Sequence, residues 1–299
     1  MRIGGQRRST NFEDRGRGVG GGGGVSGGGM LLSLISRLGF RGMVIAAILL
    51  GAVYFLMPGM RAPMMGMLGL GGGQEVQSSG SVCEGAGEAC DFSRAVLGST
   101  EDVWRAQFAQ GRLPRYGAQP GAYQDPTLVV FSGGVATEGC GSATSDVGPF
   151  YCPADRRLYI DPSFYQTMEE RLRAPGDFAQ AYVIAHEVGH HVQNLIGANQ
   201  IQVQGETRNQ TSVRIELQAD CLAGVWGHTA QSALVIDESD LREALNAAHA
   251  IGDDALGHSN ERNFTHGSSA QRMRWFRRGF DSGDARQCDT FAVTNYSQL

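Results

Sequence analysis

Apolar residues recur at helical spacing in several stretches of the last two thirds of this chain and form no long periodic pattern in the first third. Ser99 suits a helix start, with Val103, Trp104 and Phe108 on one face, which predicts a helix over 100–110. Leu128–Phe131 is short, apolar and β-branched, and Arg157–Ile160 alternates as a half-buried strand does, so two strands of a small sheet are expected there. Asp161-Pro162 opens a helix toward Arg173 that Ala174-Pro175-Gly176 stops. A long helix from Asp177 to Ile196 closes at Gly197, and another runs from about Asn209 to Thr229. Two more follow, one from Asp237 or Ser239 to Gly252 and one from Ser268 to Arg278, with Gly252 and Gly279 where terminal caps belong.

The first third reads differently. Glycine clusters at 20–24, 27–29 and 71–73 interrupt it, and between Arg41 and Arg61 lies an uncharged 19-residue run, 42–60, just long enough to span a bilayer. Seven arginines (Arg2, Arg7, Arg8, Arg15, Arg17, Arg37, Arg41) precede that run against Glu13 and Asp14, and only Arg61 closely follows it. That asymmetry predicts a cytoplasmic N-terminus and a single-pass anchor in a bacterial inner membrane, with the rest outside the cytoplasm. The expected organisation is a basic, glycine-rich arm over 1–41, a transmembrane helix over 42–60, a tether over 61–98 and one folded domain over 99–299. The expected fold class is α+β, mostly helical with a small sheet.

Composition narrows the function. A formal net charge of -5 over 299 residues, with the basic residues gathered in the arm and in Arg272–Arg278, gives nucleic-acid binding little support. The Arg272–Arg278 segment reads as an amphipathic helix with arginines outward and Trp275 and Phe276 packed. All six cysteines lie beyond the apolar run, which agrees with an oxidising compartment. Six cysteines allow 15 connectivities, and proximity favours 83–90, 140–152 and 221–288.

The chemistry concentrates in His186-Glu187-Val188-Gly189-His190. Residues four apart on an α-helix differ by about 40° around its axis, so both imidazoles project from one face and can share a metal ion. His191 points about 100° away from His190, which suits solvent or a supporting role. A catalytic zinc ion takes three protein ligands and leaves a position for water. Glu216, 26 residues beyond His190 on the next helix, is the best third donor. Asp220, one turn on, suits a carboxylate that accepts the other N–H of a ligand histidine. Cys221 is the rival donor, turned about 140° from Glu216.

The segments HEVGHHVQ, ELQADCLAG and GPFYCPADRRLYID, with NFEDRGRG near the N-terminus, resemble the family described as "Putative neutral zinc metallopeptidase". The HExxH and downstream ExxxD also resemble the thermolysin-like gluzincins. That resemblance implies a zincin-like fold: an active-site helix, a glutamate helix and a small sheet whose edge strand receives substrate. It further implies peptide-bond hydrolysis, bound Zn2+ and Glu216 as a ligand. The segment His266–Arg272 resembles one in related membrane gluzincins where a histidine approaches the substrate carbonyl, which makes His266 a candidate transition-state donor. The expected enzyme uses Glu187 as general base on a peptide or protein substrate and is attached to lipid through 42–60. Two other readings share these residues: a zinc-containing module that binds polypeptides without cutting them, and an amidase acting on a non-protein amide.

Overall fold

The computed structural model describes residues 1–18, 78–117 and 120–299. The 42–60 run expected to span a membrane lies outside the described residues. Among those described, no helix is long and apolar enough to cross a bilayer.

Met1–Gly18 and Ser78–Leu299 form one compact unit. Its five-stranded sheet joins β1 (Phe12–Gly18), β2 (Ser78–Ser79), β3 (Thr127–Ser132), β6 (Phe150–Cys152) and β7 (Arg157–Ile160) in the order β2-β1-β3-β7-β6. β1 and β7 flank β3 in parallel, and β6 pairs antiparallel to β7 as an edge. A small hairpin of β4 (Gly134–Ala136) and β5 (Ser142–Thr144) stands beside it. Among the described residues, six α-helices complete the unit: α1 (Gly87–Ala109), α2 (Ser163–Glu170), α3 (Asp177–Ile196), α4 (Arg208–Leu234), α5 (Glu238–Ala250) and α6 (Ser269–Ser282). The mixture is α+β, mostly helical with a small sheet, as its sequence pattern predicts.

Local chemistry explains the element boundaries. Thr207/Gln210, Asp237/Asp240 and Ser268/Gln271 form reciprocal capping boxes at the starts of α4, α5 and α6, satisfying amides that a helix start leaves free. Gly197 ends α3 in the left-handed conformation. The core is continuous from α1 through α3, α4 and α6, with Trp104, Trp226, Tyr182, Phe178 and Phe276 fully buried. All three expected bridges, Cys83–Cys90, Cys140–Cys152 and Cys221–Cys288, are formed.

Three expectations need correction. The helix expected over 100–110 starts at Gly87, because Gly98, Ser99 and Thr100, which look like a break, lie inside α1. Gly98 is there for space, since a Cβ on it would stand 2.6 Å from the carbonyl oxygen of Arg7. Gly279 also lies inside its helix; Gly283 is the left-handed cap of α6. The folded domain is not confined to 99–299: residues 1–18, read as part of a separate arm, supply an inner strand of the sheet, and 82–98 supply a disulfide and half of α1.

Candidate metal centre

α3 and α4 pack closely enough to bring their polar faces together. The close approach is at Gly189, where a Cβ would stand 2.9 Å from the carbonyl oxygen of Ala219. A side chain there would force α4 away, and Glu216 with it. As built, Nε2 of His186 lies 3.2 Å and Nε2 of His190 3.5 Å from the Glu216 carboxylate. One donor atom from each of the three residues falls within 4.8 Å of the others. Tetrahedral donors about 2.1 Å from a common zinc ion stand roughly 3.4 Å apart, so the donor set fits that ion. Two imidazoles and one carboxylate are also the donor types zinc takes in catalytic sites.

Each histidine is oriented from behind. Nδ1–H of His186 donates to Oδ1 of Asp220 at 2.8 Å. Asp220 is fully buried and also accepts from the Tyr182 hydroxyl at 2.5 Å and from the Arg272 guanidinium, Nε to Oδ2 and Nη2 to Oδ1, both at 2.9 Å. Arg272 is 2% exposed and also donates to the Ile251 carbonyl. Nδ1–H of His190 donates instead to the carboxamide oxygen of Gln193 at 2.8 Å. Gln193 is held in turn by the Ile215 carbonyl and by Gln218.

The electrostatics favour a cation between these groups. Burial pulls His186 down, but Asp220 and Glu216 outweigh it and carry the imidazole up to about 10. Burial pushes Glu216 up, and the two imidazoles outweigh it, holding the carboxyl well below its usual range. A field that holds protons on imidazoles also favours a metal cation in their place. Glu187, 9% exposed, is raised mainly by burial and lines the same cavity without joining the three donors.

That cavity, about 690 Å³, holds the three donors, Glu187 and His266 on its walls, with β6 along one side. His266 is anchored by Asp253, which is 2% exposed and accepts the amides of Thr265, His266 and Gly267 at 2.7, 2.7 and 3.0 Å. Nδ1 of His266 stands 3.3 Å from the same carboxylate.

Of the site residues named from sequence, His186, Glu187, His190, Glu216 and His266 line one cleft and Asp220 lies buried behind His186, while Cys221 does not join them because it is bridged to Cys288. His191 is neither solvent-facing nor a support of His186, His190 or Glu216. It is fully buried, donates to the Gln124 carbonyl at 2.6 Å, accepts from the Tyr151 hydroxyl at 3.0 Å and so ties α3 to β6. Burial pushes its pKa down to about 4. Arg272 is the main correction, since it points inward while Arg274, Arg277 and Arg278 face out. Sequence signals for the missed residues exist. Arg272 sits at a core position of α6, three residues before Trp275; Tyr182 lies one turn before His186, and Gln193 three residues after His190.

A family model described as "Putative neutral zinc metallopeptidase" matches residues 1–291. The chain belongs to that family. It is 46% identical over 307 aligned residues to the uncharacterized protein YpfJ of Escherichia coli, covering 97% of this chain and 99% of that one. An uncharacterized protein of Mycobacterium tuberculosis is 43% identical over 190 residues, covering 58% of this chain and 64% of the relative. No solved structure matches at a significant level.

Proposed function

We propose that this member of the family is a zinc-dependent peptidase with Glu187 as general base, working outside the cytoplasm. The convergence of His186, His190 and Glu216 beside Glu187, in a cleft bordered by a sheet edge, carries the reading. It is the arrangement expected of a zincin-like fold. A zinc ion held by His186, His190 and Glu216 would supply Lewis acidity toward a water and a carbonyl oxygen.

The chain's own groups do the rest. Glu187 takes the proton of the attacking water and hands it to the leaving amine, a task helped by a carboxyl that burial raises above its usual range. Asp220 and Gln193 fix which imidazole nitrogens face the cleft. His266, held by Asp253 through its backbone amide, presents its ring at the cavity wall, where Nε2–H of the tautomer whose Nδ1 accepts from the Thr265 hydroxyl can donate to a developing oxyanion. β6 is an edge strand and offers backbone groups to an extended peptide. Phe164, Leu172, Val183, Ile251 and Leu256 give the cleft an apolar wall suited to a hydrophobic side chain of the substrate. The three disulfides support an oxidising location.

The test is zinc content and cleavage of an unbiased peptide mixture by the full chain and by Glu187→Gln. The full chain is needed because a fragment beginning at residue 81 would lack β1. Loss of cleavage with zinc retained supports the peptidase. A wild-type protein that binds zinc and peptides but leaves every peptide intact would support a binding module instead.

A further inference from the structure

Three of the arginines that argue for a cytoplasmic N-terminus, Arg7, Arg8 and Arg15, have other work in the folded unit. Arg7 pairs with Glu101 at 2.7 Å and Asp102 at 2.9 Å, Arg8 with Asp91 at 2.5 Å and Arg15 with Glu13 at 2.8 Å. The ammonium group of Met1 meets Asp240 at 2.6 Å, and the amide of Arg2 donates to the Leu234 carbonyl at 2.7 Å. Charges engaged in this way have a reason to be near the N-terminus that owes nothing to membrane orientation.

The same segment is threaded through the unit. Ser9 and Asn11 both donate to the buried Glu101, and the amide of Ser9 donates to the Arg94 carbonyl. α1 leaves room for the crossing chain at Gly98. Beyond it, β1 pairs with β3 from Phe12↔Leu128 to Arg17↔Ser132. Asp14 then accepts the Ser81 hydroxyl at 2.6 Å and the amides of Val82 and Cys83 at 3.1 and 3.0 Å, at the foot of the Cys83–Cys90 bridge. The chain leaves this sheet at Gly18 and rejoins it at Ser78, and those two residues are register partners.

Partners in adjacent strands stand about 5 Å apart, whereas the hydrocarbon layer of a bilayer is about 30 Å thick. One crossing between residues 18 and 78 would place β1 and β3 on opposite faces and break their pairing. We propose that Met1–Gly18 and Ser78–Leu299 occupy the same, extracytoplasmic face of the membrane. The chain then crosses an even number of times or not at all, and the single-pass orientation with a cytoplasmic N-terminus does not apply. The inference is independent of whether the cleft cuts peptides.

The test uses the full chain in bacterial spheroplasts and a membrane-impermeant maleimide. Thr10→Cys reports on the N-terminal segment and Gln298→Cys on the C-terminal end; both positions are exposed. Should Thr10→Cys fail to accumulate, Gly4→Cys replaces it, because nothing lies within 4 Å of a Cβ there. The expected result is that both cysteines label to the same extent in intact as in lysed spheroplasts. Labelling of the N-terminal cysteine only after lysis, with Gln298→Cys labelled before it, would overturn the shared face. Labelling of both only after lysis would overturn the extracytoplasmic assignment.

Discussion

The two histidines of the HExxH pair face the same carboxylate but rest on different foundations. Behind His186 stands an ionic group: Asp220, neutralised by Arg272 and hydrogen-bonded by the Tyr182 hydroxyl, all buried. Behind His190 stands a neutral amide, Gln193, tied into a chain of amides that ends at the Cys288 carbonyl beside a disulfide. A carboxylate that accepts an imidazole N–H makes the other nitrogen more basic, whereas a carboxamide mainly fixes the ring's angle. On the proposed function, the His186 side would set zinc affinity and the His190 side ring position.

The largest effect should come from the residue the two histidines share. Glu216→Gln removes a bonding carboxylate and its negative charge, and zinc affinity should fall by more than the roughly 100-fold ceiling expected for a supporting partner. A chelator competition titration reads it directly. Unchanged affinity would remove Glu216 from the ligand set.

Asp220→Asn should weaken zinc roughly 10- to 100-fold. It should also lower unfolding stability by about 3–5 kcal/mol, because the buried Arg272 loses its countercharge. Urea unfolding of the zinc-free proteins separates the second effect from the first. Gln193→Leu should cost less than about tenfold in affinity, the lower edge for a partner of this kind. Equal losses at Asp220 and Gln193 would collapse the contrast between the two sides.

The smallest effect on zinc is expected far from both histidines, at the staple between β1 and the first disulfide. Asp14→Asn should leave zinc affinity unchanged and lower stability by about 1–3 kcal/mol through its weakened hydrogen bonds. Burial pushes the Asp14 carboxyl up, but the donors Ser81, Cys83, Gly16 and Val82 outweigh it and hold the carboxyl below its ordinary value of 3.8. A carboxyl depressed in the folded state is protonated first in the unfolded state as pH falls. Its stabilisation is thus full above 3.8 and is lost as pH drops through the lower folded value. The gap between wild type and Asp14→Asn, read as urea midpoints, should close below about pH 4.

The site and the N-terminal segment also differ in how far the sequence discloses them. α3 and α4 combine helical periodicity, a cap and a metal-binding spacing, so their place and chemistry are legible from local pattern alone. The ionic support behind His186 is half legible, since Asp220 follows from its turn relation to Glu216, while Arg272 comes from another helix. Arginine is seldom buried, and its neighbours Arg274, Arg277 and Arg278 do face solvent, which masks its inward turn. β1 is the least legible, because after Phe12 its sequence, FEDRGRG, holds only charged residues and glycines, without apolar alternation. Its strand character comes from β3, a partner more than a hundred residues away that no local window contains.

Glu187 is read as a base beside a metal it does not hold. Zinc stoichiometry and peptide cleavage, measured together on the full-length wild type and Glu187→Gln, test that division of labour directly. One zinc per chain is expected in both proteins, with hydrolysis in the wild type and at least a roughly hundredfold loss in the variant, the lower edge of what a general base contributes. Loss of zinc from Glu187→Gln, or cleavage at the wild-type rate by that variant, would contradict it.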